Sequence, residues 1–273
     1  MESQLKIIYH AVKKKIQVNH IPALTNVGIL YLCVGKYDVF FNQFYKTFQK
    51  NFLPGAQKTY FLFTDSEKLK HQYRNNPSIT FIHIEKKGWP YDTLLRNRYF
   101  FQHFEKFRGM NYLFFCNANM LCNEVIYLND LGFGTDNPLC GVLHPYYFQA
   151  TADKFIVEKK LQCHAYFNEH EISQLKHYFQ GCFYGGEYKH FRELVNTIHH
   201  WTEDDLSENR IPVWHDESYL NRYFFVNEPY VLHPGFAYPQ KAQLPFKRMI
   251  TQLDKSFFGG TEYLRDGNDL SKT

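Results

Sequence analysis

Trp214, His215, Asp216, Glu217 and Ser218 stand consecutively in the chain. The run sets an indole, an imidazole, two carboxylates and a hydroxyl side by side. A sugar site uses this mixture: a flat apolar face to stack on, with carboxylates and imidazole to bind hydroxyls. In such a site Glu217 could stabilise an oxocarbenium-like charge or attack an anomeric carbon. A purely structural role accounts for the same residues, with Asp216 capping the helix that follows and Glu217 in its favourable first turn.

Other stretches carry chemistry less densely. Asn117-Ala118-Asn119 interrupts two apolar runs, at a place where many nucleotide-sugar transferases carry Asp-x-Asp for a divalent metal. "HYFQGCFYGG" (His177–Gly186) reads as a strand leading to a paired-glycine turn, where small residues would let a ligand approach backbone. Lys255 and Arg265 could clamp phosphates, or simply be solvated. The 14 histidines are scattered without H-E-x-x-H spacing, which argues against a metal hydrolase.

The elements that must position these groups are legible in the first half. "VGILYLCV" (Val27–Val34) is a continuous apolar run of the kind found in buried parallel strands. Asp38 is a plausible cap for a helix in which Phe40, Phe41, Phe44, Tyr45, Phe48 and Phe52 recur at helical spacing, closed by Pro54-Gly55. Strands are expected at Thr59–Asp65, Ile79–Ile84 and "NYLFFC", with one helix over Thr93–Phe107. This order implies an α/β fold: a mostly parallel sheet with helices on both faces and ligands at the carboxyl ends of the strands. Gly35-Lys36-Tyr37 and Asn117-Ala118-Asn119 both fall at such ends. Further on, "PLCGVLHP" reads as a strand, Tyr146–Lys176 has weak periodicity, and helices are expected over Glu187–Trp201 and after "WHDES".

Composition narrows the class. With 27 Phe and 21 Tyr in 273 residues, some rings must reach the surface or line a cleft. A net charge of +4 is too small for a general nucleic-acid binder and suits an anionic small ligand. The six cysteines show no C-x-x-C pair and read as free thiols in a reducing compartment. No signal peptide and no membrane span is evident, and Leu5–Val18 reads as a solvated terminal helix in preference to a basic amphipathic helix on a membrane surface. The expected organisation is an N-terminal extension over 1–26, one domain over 27–265 (a nucleotide-binding half over 27–120 and a donor-sugar and acceptor half over 121–265), and a flexible tail over 266–273.

An ordered set of stretches then resembles a known family: "GILYLCVGKYD", "YFLFTD", "GWP", "YLFFCNAN", "LHP", "GCFYGG", "IPVWHDESYLNRYF" and "LPF…GGTEYLR". From about Val27 to Arg265 the chain resembles the retaining glycosyltransferases of family 6, which include the histo-blood-group A and B transferases, the α-1,3-galactosyltransferase and shorter bacterial relatives. The resemblance implies a GT-A fold, with a Rossmann-like, mostly parallel sheet and an acceptor-binding C-terminal half. It implies transfer of Gal or GalNAc from the UDP-sugar to the 3-hydroxyl of a β-galactoside, with retention. Carried over, Tyr37 matches an aromatic beside uracil, and Arg96 an arginine near the donor sugar. Gln180, Gly181 and Cys182 match the positions that choose between Gal and GalNAc. Asp216 matches a donor-sugar ligand and Glu217 the proposed nucleophile. Lys255 and Arg265 match tail cations that close over the diphosphate. His144 matches a histidine that touches the acceptor, and Trp214 and His215, taken here as acceptor-binding, match acceptor- and donor-side contacts.

Asn117 and Asn119 fall on the metal-binding Asp-x-Asp, and bacterial members resembling this chain carry Asn-x-Asn and work without metal. The expectation is therefore no metal and no other cofactor, with Asn117 and Asn119 donating hydrogen bonds to the diphosphate, where carboxylates would repel it. Cys182 is larger than Gly or Ala, which leans the donor slightly toward UDP-Gal. Tyr146, Ile156, Lys159 and Lys160 depart from the family pattern and bear on acceptor identity. The expected acceptor is a β-galactoside glycan, fucosylated or not, either free or lipid-linked, met in the cytoplasm or at the inner membrane face. The rival reading is a catalytically silent glycan- or UDP-binding protein of the same fold.

Overall fold

The computed structural model describes residues 25–134 and 136–265. The helix expected over Leu5–Val18, the N-terminal extension before Thr25 and the tail over 266–273 lie outside the described residues.

Strands β1 (Asn26–Cys33), β2 (Gln57–Thr64), β3 (Ile79–His83) and β4 (Tyr112–Cys116) lie parallel as β3-β2-β1-β4. The sheet continues through β7 (Phe179–Glu187), antiparallel to β4, then β6 (Leu139–Leu143), antiparallel to β7, and β8 (Tyr230–Leu232), parallel to β6. A smaller sheet has the order β5-β10-β9, from β5 (Met120–Cys122), β9 (Tyr238–Pro239) and β10 (Ile250–Gln252).

The apolar runs form inner strands because both faces of the sheet are covered. Along β1, Val27, Ile29, Tyr31 and Cys33 enter one core with Phe41, Phe44 and Phe48 of helix α1 (Phe41–Asn51). Leu30 and Val34 enter the other core, with Leu94 of α2 (Tyr91–Leu94), Phe100 of α3 (Arg96–Gln102) and Phe191 and Leu194 of α4 (Tyr188–Ser207). Alternate residues thus feed opposite layers, as the two-residue period of a strand requires. Helix α5 (His215–Val226) packs on α4 and β7. Among the described residues no helix is long and apolar enough to cross a membrane.

Three local expectations are corrected. Asp38 does not cap α1: Phe40 occupies that position, and the Asp38 carboxylate instead accepts from Ser66 Oγ at 2.8 Å. The single helix expected over Thr93–Phe107 is broken after Leu94 and again at His103. Gly185 and Gly186 form no hairpin turn but lie inside β7. A Cβ on Gly185 would stand 2.3 Å from Phe114 Cδ1 and 2.5 Å from the Leu113 carbonyl, so the pair lets β7 lie close on β4.

Candidate active site

The carboxyl ends of β1 and β4 open into one cavity of about 250 Å³. Tyr37, Arg96, Asn117, Asn119, Lys255 and Arg265 line it, with Lys86, Trp89, Asp92 and Thr93. Four lining side chains are cations (Lys86, Arg96, Lys255, Arg265) and one is a carboxylate (Asp92), a balance suited to an anionic ligand. A second cavity of about 140 Å³ holds Gln180, Gly181, Cys182, Trp214, His215, Asp216 and Glu217. Trp89, Thr93, Arg96 and Asn117 line both, so the two form one cleft.

Gly35 makes the turn that delivers Tyr37. Its φ of +56° favours glycine, and its N–H donates to Asp65 Oδ1 at 2.9 Å, across from the end of β2. On the far side of the cavity the Arg265 guanidinium stacks 3.6 Å over Trp89, and Lys255 Nζ lies 5.2 Å from the Tyr37 ring centroid.

Arg96 joins the two cavities. It opens α3, lies 5% exposed, and its guanidinium sits 3.9 Å over the Phe115 ring. Nη1 pairs with Asp216 Oδ2 at 2.6 Å and donates to the Gly181 carbonyl at 2.9 Å; Nη2 donates to Asn117 Oδ1 at 3.3 Å. One buried side chain therefore fixes the ends of β4, β7 and α5 relative to each other. Burial pushes the Asp216 carboxyl up to about 6, against the pull of Arg96. Asp216 is thus no helix cap. Trp214 precedes the first turn of α5, and His215 enters it with φ +51°. That left-handed backbone is uncommon for a non-glycine residue and sits beside the two carboxylates.

Glu217 faces the cleft from the first turn of α5. Its Oε2 accepts from the Gly181 N–H at 2.8 Å. A Cβ on Gly181 would meet Glu217 Cβ at 3.3 Å, so the glycine makes room for the side chain. Burial pushes the Glu217 carboxyl up to about 7; the Gly181 N–H lowers it and the Asp216 charge raises it. Such a carboxyl exchanges its proton near neutrality, the range of a reactive group.

The remaining residues divide. Trp214 is 43% exposed, with its indole at the rim of the second cavity, and the His215 ring meets Trp89 edge-on at 4.7 Å. Cys182 is buried, its thiol 3.1 Å from Gln180 Oε1, while Gln180 Nε2 reaches Gln252 Oε1 at 3.4 Å. His144 lines neither cavity. It lies after β6 among Tyr146, Tyr147 and Tyr178, and burial lowers its pKa to about 4, so it is neutral. Tyr178 stands between His144 and Glu217: its ring meets His144 edge-on at 5.8 Å, and its buried hydroxyl lies by the Glu217 carboxylate and helps to lower that carboxyl's pKa.

The two asparagines also divide. Asn117 Oδ1 accepts from Arg96, whereas Asn119 is buried and its Nδ2 donates to the Leu253 carbonyl at 2.7 Å. Two neutral amides, one beside a guanidinium, make a poor donor set for a divalent cation. Among the described residues no three His, Cys, Asp or Glu side chains gather where a metal could sit. Lys86, Asp92, Thr93 and Tyr178 escaped the sequence reading. "GWP" marks the segment of Trp89 and "HYFQGCFYGG" the stretch that contains Tyr178, but no pattern singles out Lys86, Asp92 or Thr93.

Residues 11–256 match the model of glycosyltransferase family 6. The chain is 34% identical over 219 residues to the O-antigen biosynthesis glycosyltransferase WbnI of Escherichia coli, covering 79% of this chain and 88% of that protein. It is 26% identical over 247 residues to globoside alpha-1,3-N-acetylgalactosaminyltransferase 1 of Gallus gallus, covering 87% and 70%. It is 26% identical over 223 residues to histo-blood group ABO system transferase 2 of Rattus norvegicus, covering 80% and 64%.

Proposed function

The chain belongs to glycosyltransferase family 6 and is a hexosyltransferase that takes a nucleotide-sugar donor and a glycan acceptor; from that premise we propose that it moves Gal or GalNAc from the UDP-sugar to the 3-hydroxyl of a β-galactoside, with retention and without a divalent metal. The observation that carries the reading is the junction at Arg96, where a cation-lined cavity meets a cavity headed by Glu217. UDP lies in the first, with uracil beside Tyr37 and the diphosphate facing Lys255 and Arg265. The sugar lies in the second, against Asp216 and beneath Glu217. As the bond to UDP breaks, positive charge grows on the anomeric carbon, and the Glu217 carboxylate stabilises it from the protein side. Cations and backbone donors take the charge of the departing UDP. Trp214 offers the acceptor a face to stack on.

The Escherichia coli relative's name refers to O-antigen biosynthesis and the Gallus gallus relative's to globoside. Both names refer to larger glycans, which supports an acceptor sugar within a larger glycan; the acceptor proposed here is a β-galactoside, free, lipid-linked or of lipopolysaccharide type, met in the cytoplasm or at the membrane face. The test is UDP release from UDP-Gal and UDP-GalNAc with fucosylated and unfucosylated β-galactosides in excess chelator. Turnover with one of them is expected. UDP binding without turnover on any acceptor would favour a silent binding protein.

A further inference from the structure

Asn119 was expected to donate to the diphosphate, yet its side chain reaches the chain segment that carries a cation of the same cavity. Nδ2 donates to the Leu253 carbonyl at 2.7 Å, and the Leu253 N–H donates back to the Asn119 carbonyl at 2.7 Å. This reciprocal pair extends the β5–β10 ladder, in which Met120 faces Gln252, by one further step. Two residues on, Lys255 enters the cavity wall opposite Tyr37. On its other side the segment is tied through Asp254, whose N–H donates to Gln240 Oε1 at 2.8 Å and whose carboxylate pairs with Lys241 at 2.6 Å, and next to it Lys241 Nζ donates to Ser256 Oγ at 2.9 Å.

We propose that Asn119 is a positioning residue, a clasp that holds Leu253–Lys255 so that the Lys255 ammonium meets the donor diphosphate. The role of Lys255 rests on the donor-site reading above; the clasp itself rests on the two bonds to Leu253. The chemistry explains the residue type. A carboxylate at 119 has no hydrogen to give, and would set a negative oxygen against the Leu253 carbonyl in a buried place. In this chain position 119 cannot both hold the clasp and serve as an acidic metal ligand. Asn117, whose oxygen is turned to Arg96, belongs to a different set of contacts.

The test combines hydrogen exchange on the ligand-free protein with UDP affinity. In Asn119→Ala, and in the gentler Asn119→Ser, amide exchange is expected to quicken at 253–258, while Asn117→Ala leaves that segment unchanged. Asn119→Ala should weaken UDP binding about tenfold, a change in keeping with one lost buried hydrogen bond, but less than about twofold once Lys255→Ala is present, because contacts that act through one another are not additive. Asn119→Asp should weaken UDP to the same extent, and manganese should not restore it. Unchanged exchange at 253–258 in both Asn119 variants overturns the clasp. Additive losses with Lys255→Ala, or recovery of Asn119→Asp by manganese, overturn it too, since either places the side chain on UDP or its metal. Failure of the unmutated protein to bind UDP overturns the donor-site reading and the role given to Lys255, while the exchange result still decides the clasp.

Discussion

Glu217 ties the chemistry to a measurable pH dependence. Its carboxyl is raised from an ordinary value of 4.5 to about 7 by burial, with Asp216 beside it. Both roles open to it, attack on the anomeric carbon and stabilisation of its charge, need the ionised form. kcat/KM reports the free enzyme, so it should fall about tenfold per pH unit below about 7. Glu217→Gln should reduce turnover by orders of magnitude with UDP affinity nearly intact; near-normal turnover would remove Glu217 from either role. The same shift acts on stability. A carboxyl whose folded pKa exceeds its unfolded value favours folding fully below about 4.5, and that contribution is lost as pH rises through about 7. Glu217→Gln should therefore stabilise the protein at pH 8, on the order of 1–3 kcal/mol, and much less at pH 5, as thermal melts at the two pH values would show. The triplet Asp216-Glu217-Ser218 was visible in the sequence as chemistry. That Asp216 answers to Arg96, 120 positions earlier, was not, because local pattern cannot tell a helix cap from a buried ion pair.

The legible elements are those whose environment is uniform along their length. β1, β2 and β4 are buried on both faces, so unbroken apolar runs marked them. The segment around α3 was misjudged as one long helix because Arg96 and Asn97 are buried and polar there, and the break that precedes Arg96 serves the site. The glycine pair was misplaced because close approach of β7 to β4 is a tertiary demand with no local signature. Nor did spacing reveal how α5 is seated. Asp205 on α4 is fully buried and accepts from Tyr219 Oη at 2.8 Å, the His164 N–H at 3.0 Å, Cys163 Sγ at 3.0 Å and Arg210 Nε at 3.0 Å. It thereby joins α4, the 163–164 loop and the helix that carries Glu217. Asp205→Ala would leave these donors without their acceptor and should lower stability by about 3–5 kcal/mol, read as a shifted urea midpoint. A midpoint within error of the parent's would show that the cluster does not seat α5.

Across the whole molecule the site gathers residues from Tyr37 to Arg265 because β1, β4 and β7 are neighbours whose ends, with the segment after β10, enclose one cleft. Its electrostatics differ from those of a metal site. A divalent ion needs anionic oxygens around it, and a diphosphate between such carboxylates needs the ion to offset repulsion. Here the positions matched to metal ligands are neutral Asn117 and Asn119, and Lys86, Arg96, Lys255 and Arg265 line the cavity. Fixed cations can take the charge of departing UDP without an added ion, and they are in place before the reaction begins. Turnover should accordingly be unchanged by excess chelator, whereas a strict requirement for manganese would overturn the metal-free reading. Converting both asparagines to Asp is the sharper measurement. Under chelator the double variant would set one carboxylate beside the Arg96 guanidinium, drawing it from Asp216, and the other against the Leu253 carbonyl, loosening the segment of Lys255. Its kcat/KM should fall at least about a hundredfold, the effect of two disrupted charged or buried contacts, and a double variant as active as the parent under chelator would remove both asparagines from any role at the diphosphate.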